Sequence, residues 1–366
     1  MNNRKIISSD LTRKKVQEAL KNKNPINKNS LTAHQIHSER QNIKSANRNV
    51  VKSKIERPRV NQGNKRPSSQ YLAKIKSKTL KLNLPQSGSF NGSILNIGEK
   101  FLCVYRPNES EIIACFLNYD YSIIPKLYYK FNLLLVSDPR IIITPDNKVL
   151  MSYSKYYTNN DSNEYIDGNI IMDLNESKNK IFQGETIRIS LEHLKDRQKN
   201  WMPFVHEDKL YFIANVCPHQ IYEVDWTGQK KSNLIYETFW ENPWFVKENL
   251  RGNTNAVMLP DGNYLGTFHT VTRKNILHYY DNGFYIFEGK PPFTVTHISK
   301  QTYLRAEDAI EPYFRKAGII LCTFPVGMVL EKDKIIISYG DNDSCVKILE
   351  VSLNDVMDIM VNVKEK

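Results

Sequence analysis

The sequence predicts an all-β fold, a five-bladed β-propeller, preceded by a disordered basic tail. Three observations lead to this prediction. Five similar β-hairpins recur along the chain, helical patterns are limited to short stretches near residues 11–21, 306–309 and 353–360, and the excess of positive charge is confined to the first 80 residues. The predicted boundaries are residues 1–80 for the tail and residues 85–360 for the propeller domain.

The tail is recognised by its charge and composition. Residues 1–80 hold 20 Lys and Arg against 4 Asp and Glu, whereas the rest of the chain has a net charge of −4. The segment is rich in Asn, Lys and Ser, and it cannot bury enough apolar surface to offset its ordering entropy. A basic arm of this kind can bind nucleic acid or another acidic partner. Because aromatic residues are not interleaved with the charges, a solvated extension is the simpler interpretation.

Each predicted hairpin consists of two apolar, aromatic-rich runs joined by a polar four-residue loop. The loops start at residues 97, 145, 206, 260 and 331, and the third loop places Val205 opposite Leu210. Further strand candidates lie at residues 112–117, 221–224, 284–287 and 346–351. About four strands per interval is the content of a propeller blade. A β-sandwich with long insertions is the alternative, but it gives no reason for five matching hairpins.

The cysteines and the apolar runs predict the compartment. Five cysteines are scattered without a CxxC pair, which favours free thiols in a reducing, cytoplasmic compartment over a disulfide framework or a zinc site. Neither a signal pattern nor an apolar run of about 18 residues is present, so neither secretion nor a membrane span is expected. The run 340–343 begins like a calcium loop but lacks the Gly and Glu expected downstream. The sequence therefore predicts no metal and no organic cofactor.

Polar residues collect at the hairpin ends that lie far from the turns. The candidate site residues at these ends are Arg106, Asp138, Arg140, Lys199, His219, Arg251, His269, Tyr339 and Asp343. Equivalent hairpin ends of a propeller converge on one axial pocket, so five remote segments would form one polar site. Each residue alone has a simpler interpretation; Asp138-Pro139, for example, is also a turn signal. Their occurrence at one end of the predicted fold favours a common site.

An ordered set of short motifs accompanies these residues. It comprises Asp138-Pro139-Arg140, Lys199-Asn200-Trp201 with Pro203-Phe204, Pro218-His219, the Asp261-Gly262 turn with Phe268-His269, and Phe324-Pro325-Val326-Gly327 leading to Tyr339-Gly340 and Asp343. Over roughly residues 90–350, their order and spacing resemble the inverting β-mannoside phosphorylases and mannosidases of glycoside hydrolase family 130. Two positions depart from the family pattern: Ser137 stands where many members have glutamate, and Arg251-Gly252-Asn253 replaces a more glycine-rich loop.

The resemblance implies a five-bladed propeller that acts on β-mannosides or similar glycans, by inverting phosphorolysis or by the reverse glycosyl transfer. It implies that Asp138 is the general acid and that Lys199 and His219 bind phosphate, the expected co-substrate. It also implies that Asp343 binds the mannosyl unit.

Other reactions on the same fold stay open at the level of the sequence. Inverting transfer to phosphate needs one acid and several cations, but no second carboxylate. A β-mannoside hydrolase would need a second carboxylate to activate water, for which Asp341, Glu307 and Asp308 are candidates. A glycosyltransferase that uses a sugar nucleotide or a sugar phosphate is a third possibility. A non-catalytic propeller that binds glycan or protein is the fourth.

Overall fold

The computed structural model describes residues 75, 77–86, 88–108, 111–156, 164–176, 180–190, 199–227, 232–241, 250–274, 277–311 and 320–365. These residues form 24 strands, one 3-10 turn (Ala306–Asp308) and one short α-helix, α1 (Leu353–Met357), which confirms the all-β prediction. Helix α1 begins after Ser352, whose hydroxyl accepts a hydrogen bond from the Asn354 N–H. Within these described ranges, no helix has the length and apolarity needed to cross a membrane.

Strand β1 (Ser77–Lys81) is followed by three sheets, each of four antiparallel strands in chain order. The first sheet contains β2 (Phe90–Asn96), β3 (Phe101–Arg106), β4 (Ile113–Leu117) and β5 (Ile123–Lys130). The second contains β6 (Val136–Ile143), β7 (Lys148–Tyr156), β8 (Glu164–Asp173) and β9 (Thr186–Arg188). The third contains β10 (Met202–His206), β11 (Lys209–Asn215), β12 (His219–Val224) and β13 (Ser232–Thr238).

The remaining strands form two further meanders and their attachments. In chain order they are β14 (Trp240–Glu241), β15 (Arg251–Gly252), β16 (Val257–Met258), β17 (Tyr264–Lys274), β18 (Leu277–Phe287), β19 (Val295–Ser299), β20 (Ile320–Glu331), β21 (Lys334–Asp341), β22 (Cys345–Ser352), β23 (Met360–Asn362) and β24 (Lys364–Glu365). The fourth meander is β16-β17-β18-β19, with β15 also paired to β17 and β23 to β19; β14 pairs with β24. The fifth meander is β20-β21-β22, and β1 pairs with β22 as its fourth strand. A short parallel pairing of β18 with β20 joins the fourth and fifth meanders.

All five predicted hairpins are present, and Val205 pairs with Leu210 as the loop length predicted. Each loop contains one residue with a positive φ angle, which tight hairpin turns require because their twist must match that of the strands. These residues are Gly98, Asn147, Glu207, Gly262 and Lys332. Turn chemistry and alternating apolar residues therefore fix each hairpin locally.

Six apolar clusters lie in the core of the described residues. The smallest, on β20, packs against Tyr280, and each of the other five is shared by two neighbouring sheets or meanders. Representative members are Val104 and Ile141 between the first and second sheets, Ile142 and Phe212 between the second and third, Phe204 and Phe287 between the third sheet and the fourth meander, Leu265 and Ile337 between the fourth and fifth meanders, and Ile336 and Phe101 between the fifth meander and the first sheet. Burying each such side chain stabilises the fold by about 1.5–3 kcal/mol. The sequence of contacts thus returns from the last meander to the first sheet.

The last residues of the predicted tail belong to the fold. Ile75 is buried between the fourth and fifth meanders, and β1 pairs with residues 347–351 of β22. Leu82, which follows β1, is buried between the fifth meander and the first sheet. The predicted boundary at residue 80 therefore moves to a point before Ile75, because β1 pairs with an otherwise open edge of β22. Residues 1–74 and residue 76 lie outside the described residues, so the rest of the predicted tail stays a prediction.

We expect removal of residues 1–64 to leave the melting temperature unchanged and removal of residues 1–80 to lower it. The described residues from Ile75 onward belong to one unit, so the shorter deletion leaves that unit whole. The longer deletion removes Ile75 and most of β1, and it leaves the edge of β22 unpaired. Truncating one buried isoleucine alone costs about 2–5 kcal/mol. Thermal melting followed by circular dichroism measures both variants, and equal melting temperatures would show that β1 and Ile75 contribute no stability.

Candidate active site

Asp138 lies at a bulge in β6. The pairing of β6 with β7 shifts between Ser137 and Arg140, and Asp138 has a φ angle of +53°. Positive φ is uncommon outside glycine, although aspartate adopts it more readily than most residues. The bulge takes Asp138 out of the ladder of paired residues, and its carboxylate contacts side chains from other segments. The Asp138 residue is only 4% exposed.

Three side chains from other segments contact the Asp138 carboxylate. Arg106 Nη1, at the end of β3, lies 3.2 Å from Oδ1, and Asn91 Nδ2 of β2 donates to the same oxygen at 2.9 Å. Lys199 Nζ, just before β10, lies 3.5 Å from Oδ2. The structure therefore brings two other predicted site residues, Arg106 and Lys199, to the Asp138 carboxylate.

Arg140 supports the same bulge from within β6. Its Nη1 donates to the backbone carbonyl of Asp138 at 3.0 Å, and its Nε donates to the backbone carbonyl of Asn253. Burial lowers the pKa of Arg140 to about 10, and the Asp138 charge acts in the opposite direction. Arg140 thus carries its charge at neutral pH, and its hydrogen bond to Asp138 goes to the backbone carbonyl.

The surrounding cations keep Asp138 ionised. Burial raises the pKa of Asp138, but the charges of Lys199, Arg106 and Arg140, together with the Asn91 hydrogen bond, outweigh burial and hold it well below its usual value. Because the folded-state pKa lies below the unfolded-state value, the ionised Asp138 stabilises the fold above about pH 4. That stabilisation is lost as the pH falls further.

His269 joins this cluster from β17. Its Nδ1 is 2.6 Å from Asn253 Oδ1, and its ring stacks on Tyr280 with 5.6 Å between ring centroids. Burial is the main cause that lowers the pKa of His269 to about 3. The charges of Arg251, Arg140 and Lys199 lower it further, which places His269 within electrostatic range of the Asp138 cluster.

Arg251 reaches the cluster because of the glycine that follows it. Arg251 pairs with His269 across β15 and β17, and its side chain is exposed. A Cβ atom on Gly252 would lie 2.7 Å from the backbone oxygen of Asn200 and 2.6 Å from the Met202 side chain. Any larger residue at Gly252 would push the Arg251 segment away from the segment that carries Lys199.

Asp343 lies at the edge of the same cluster, in the turn between β21 and β22, with a φ angle of +50°. Burial raises the pKa of Tyr280 to about 12, and the charges of Lys199, Asp343 and Arg251 also act on it. Tyr280 therefore lies within electrostatic range of all three charges. The predicted residues Arg106, Asp138, Arg140, Lys199, Arg251, His269 and Asp343 lie at one site or within electrostatic range of it.

Two predicted site residues lie elsewhere. His219 is fully buried; its Nδ1 donates to the Phe293 carbonyl at 2.9 Å, and its ring packs against Phe287. Burial lowers the pKa of His219 to about 4, and no charge of the Asp138 cluster contributes to that shift. Tyr339 is buried in the core between the fourth and fifth meanders.

The carboxylates considered as bases for hydrolysis have other roles or positions. Asp341 is fully buried and accepts hydrogen bonds from Lys347 Nζ at 2.7 Å and from two backbone N–H groups. Asp308 accepts a hydrogen bond from the Arg305 N–H at the start of the 3-10 turn, and Glu307 is exposed. Within the described residues, no three His, Cys, Asp or Glu side chains are placed to hold a metal ion.

Sequence reasoning missed Asn91, Tyr280 and the part played by Asn253. Asn91 could have been predicted from the sequence. Phe90 pairs with Arg106, so the hairpin register that selected Arg106 also places Asn91, the neighbour of Phe90, at the same hairpin end. Asn253 was noted only as a departure from a glycine-rich loop. Tyr280 gave no signal, because β17 and β18 extend far beyond the predicted hairpin and only their full length carries Tyr280 to the site.

Comparison with known proteins supports the resemblance noted in the sequence. The family model of glycoside hydrolase family 130, described as beta-1,4-mannooligosaccharide phosphorylase, matches residues 56–362. A search of curated protein sequences gave no match.

Solved structures of similar fold include three mannose-related proteins. MPT-4, a mannose phosphorylase from Leishmania mexicana in complex with phosphate ion, is 12% identical, with a TM-score of 0.50 over 90% of this chain and 97% of that chain. MPT-1, a GDP-Man-dependent mannosyltransferase from the same organism, is 10% identical, with a TM-score of 0.50 over 75% and 90%. The β-1,2-mannobiose phosphorylase of Listeria innocua is 11% identical, with a TM-score of 0.49 over 76% and 92%. On the family match, which spans most of its length, the chain belongs to glycoside hydrolase family 130, whose members are glycoside phosphorylases and hydrolases.

Proposed function

We propose that this protein is an inverting β-mannoside phosphorylase, which cleaves a mannose-containing glycan with phosphate or runs the same reaction in reverse. The observation that carries the proposal is one buried carboxylate, Asp138, surrounded by cations from three sheets and meanders. Among the described residues of the site, four cations stand against two carboxylates; they are Arg106, Arg140, Lys199 and Arg251, against Asp138 and Asp343. Such an excess of positive charge favours a phosphate ligand.

Two of the four cations are accessible to a ligand. The Lys199 side chain is 36% exposed and Arg251 is exposed, whereas Arg106 and Arg140 are buried against Asp138. We therefore assign phosphate to Lys199 and Arg251. The geometry does not support His219, the other phosphate ligand that the family resemblance implies, because its ring packs in the core against Phe287 and no charge of the Asp138 cluster acts on it. MPT-4, a mannose phosphorylase of similar fold, was solved in complex with phosphate ion, which supports the choice of nucleophile.

In the proposed reaction a phosphate oxygen attacks the anomeric carbon from the face opposite the leaving oxygen. The glycosidic C–O bond breaks, the new C–O bond to phosphate forms with inversion, and Asp138 gives its proton to the leaving oxygen. Asp343 and His269 lie near Tyr280, on the side of the site that we assign to the sugar.

Asp138 must gain a proton before it can act as an acid. In the ligand-free protein, Lys199, Arg106 and Arg140 keep it ionised. A phosphate anion next to Lys199 opposes that positive field and so favours the protonated carboxyl group. Phosphate binding thus prepares the acid, with the proton supplied by solvent or by monobasic phosphate.

We further propose that the three sheets and two meanders are the blades of a closed five-bladed propeller. The supporting observation is the set of five shared apolar clusters, of which the last lies between the fifth meander and the first sheet. In this arrangement β1 completes the fifth blade, and the Asp138 cluster lies where the blades converge.

The alternatives are less consistent with the geometry. Hydrolysis needs a second carboxylate to activate water, but Asp341 is already bonded to Lys347 and Asp308 to a backbone N–H. Glycosyl transfer from a phosphorylated donor would use the same anion site as phosphorolysis, and the direction is a matter of substrate supply.

The test is a set of β-linked mannobioses incubated with the full-length protein, with and without inorganic phosphate. We expect α-mannose 1-phosphate to form only when phosphate is present, as the anomeric signals of the first product in proton NMR would show. Free mannose released at a rate independent of phosphate would establish hydrolysis instead. Glycan binding without turnover in either direction would establish a non-catalytic module.

A further inference from the structure

Asn253 is the junction of a buried hydrogen-bond network next to the Asp138 cluster. It is fully buried. The Oδ1 of Asn253 lies 2.6 Å from His269 Nδ1, and its Nδ2 donates to Asn282 Oδ1 at 3.0 Å. The backbone carbonyl of Asn253 accepts a hydrogen bond from Arg140 Nε. Asn253 therefore links β17 and β18 through its side chain and β6 through its backbone carbonyl. The loop that carries it is the one that departs from the family pattern.

The partners of Asn282 fix the direction of every hydrogen bond in this network. Asn282 Nδ2 lies 2.9 Å from the Thr323 carbonyl oxygen and 3.1 Å from the Leu304 carbonyl oxygen, and carbonyl oxygens only accept. Asn282 must therefore direct its Oδ1 to Asn253, and Asn253 must use its Nδ2 as donor there. The Oδ1 of Asn253 consequently faces His269, so His269 Nδ1 is the donor and carries a proton.

A neutral imidazole carries only one proton, so a proton on Nδ1 leaves Nε2 as an acceptor. A second proton is disfavoured by burial and by the positive charges near the ring. The charged groups that act on His269 are Arg251 of β15, Arg140 and Asp138 of β6, and Lys199 before β10, and the titratable Tyr280 of β18 stacks on the ring. Of these charges, only that of Asp138 favours protonation of His269. The pKa of His269, lowered to about 3, agrees with this balance.

We propose that Asn253 is a positioning residue that holds His269 with its proton on Nδ1, so that Nε2 accepts a hydrogen bond from a sugar hydroxyl. This inference rests on the proposed function, because it assigns His269 to the glycan. An acceptor nitrogen repels the oxygens of dibasic phosphate, which are themselves acceptors, but it matches a hydroxyl donor. Tyr280 stacks on the ring and Phe324 lies edge-on to it at 5.4 Å between centroids, which restricts its rotation.

The first experiment reads the tautomer directly in the full-length protein. Histidine labelled with nitrogen-15 gives distinct imidazole nitrogen signals for the two neutral tautomers, and the His269 signals are identified by their loss in His269→Gln. We expect a protonated Nδ1 and an unprotonated Nε2 throughout pH 5.5–8. A protonated Nε2 in the wild-type protein would overturn the proposal, whatever the enzyme does with glycans.

The second experiment separates positioning from packing by kinetics. Asn253→Ala removes the acceptor, and we expect the KM for the glycan to rise about tenfold while the KM for phosphate changes less than twofold. Asn255→Ala is the matched control, since Asn255 is a buried asparagine two residues away whose side chain donates to the Met328 carbonyl and accepts from the Met328 N–H. Equal changes in glycan KM for the two variants would contradict a specific role for Asn253.

Asn253→Asp keeps the size of the side chain and tests the same idea if the alanine variant does not fold. A carboxylate beside Nδ1 favours the doubly protonated ring, so the pKa of His269 should rise, and Nε2 should become a donor below the raised pKa. We expect glycan KM to rise at a pH below the new pKa and to recover above it. An unchanged His269 titration in this variant would overturn the proposal. The expected tautomer without any glycan turnover would overturn the proposed function and leave the role of Asn253 as a positioning residue standing.

Discussion

Replacing Asp138 by asparagine is expected to lower kcat by about 100- to 10,000-fold, the range that a general acid contributes. The amide keeps the shape of the side chain and can accept from Arg106, but it has no proton to give to the leaving oxygen. The KM for the glycan should stay within about threefold, because Asp343 and His269 are unchanged. Steady-state kinetics on the best β-mannoside, with product analysis, measures both quantities. Wild-type turnover in Asp138→Asn would remove Asp138 from the chemistry.

Stability and phosphate binding distinguish the loss of the acid from general damage. Asp138→Asn leaves Arg106 and Lys199 without their carboxylate, so the melting temperature should fall modestly and phosphate should bind more tightly. Asp341→Asn is the matched control, because Asp341 is equally buried and pairs with Lys347 in the fifth meander. That variant should lose stability but keep most of its turnover. Weaker phosphate binding in Asp138→Asn would contradict the proposal that Lys199 is shared between Asp138 and phosphate.

Replacing Lys199 by alanine is expected to raise the KM for phosphate about ten- to a hundredfold and to leave the KM for the glycan within twofold. A hydrogen bond to a charged group contributes about 1.5–3 kcal/mol, and each 1.4 kcal/mol is a factor of ten. The same change should appear in the reverse direction as a higher KM for mannose 1-phosphate. Initial rates at varied phosphate and fixed glycan give the first value. A phosphate KM that does not change would leave Lys199 as a partner of Asp138 only.

Two variants on the β10-β11-β12 segment serve as controls for Lys199→Ala. One removes a lysine far from the site, and the other changes the buried His219. Lys209 lies on the same hairpin at its turn end, where it pairs with Glu223 at 3.0 Å, so Lys209→Ala should leave both KM values unchanged. His219→Asn keeps a donor for the Phe293 carbonyl, and from its buried position we expect a lower melting temperature without a selective effect on phosphate. A selective rise in phosphate KM for His219→Asn would return His219 to the anion site.

Much of the strand framework was predictable because it is local. Val205 and Leu210 pair as the loop length requires, and the five loops contain residues that adopt a positive φ angle. Hairpin register also showed that Arg106, Asp138 and Lys199 lie at hairpin ends away from the turns. The family resemblance, carried by short motifs in a fixed order, was confirmed by the family model over residues 56–362.

The surroundings of individual side chains were less predictable. The position of a residue along its strand shows at which end of the fold it lies, but not which side chains of other sheets it contacts. His219 is the first residue of β12, at the hairpin end away from the turn, as predicted. Because residues two apart on a strand share a face, its side chain points the same way as that of Ile221, into the core shared with the fourth meander. Tyr339 lies on β21 and likewise faces a core cluster. Sequence patterns mark both faces as apolar or mixed, and only the packing of the next sheet decides which face is a pocket.

The sequence by itself determined the all-β class, the five hairpins, the family, and the residue types at one end of the fold. Only the tertiary structure decided that β1 pairs with β22 some 270 residues later, and that Lys199 and Arg106 meet on Asp138. It also decided the chain of bonds from Asn282 through Asn253 to His269. The physical reason is range: turns and alternation act within a few residues, whereas charge pairs and strand edges depend on which remote segments the packed core brings together.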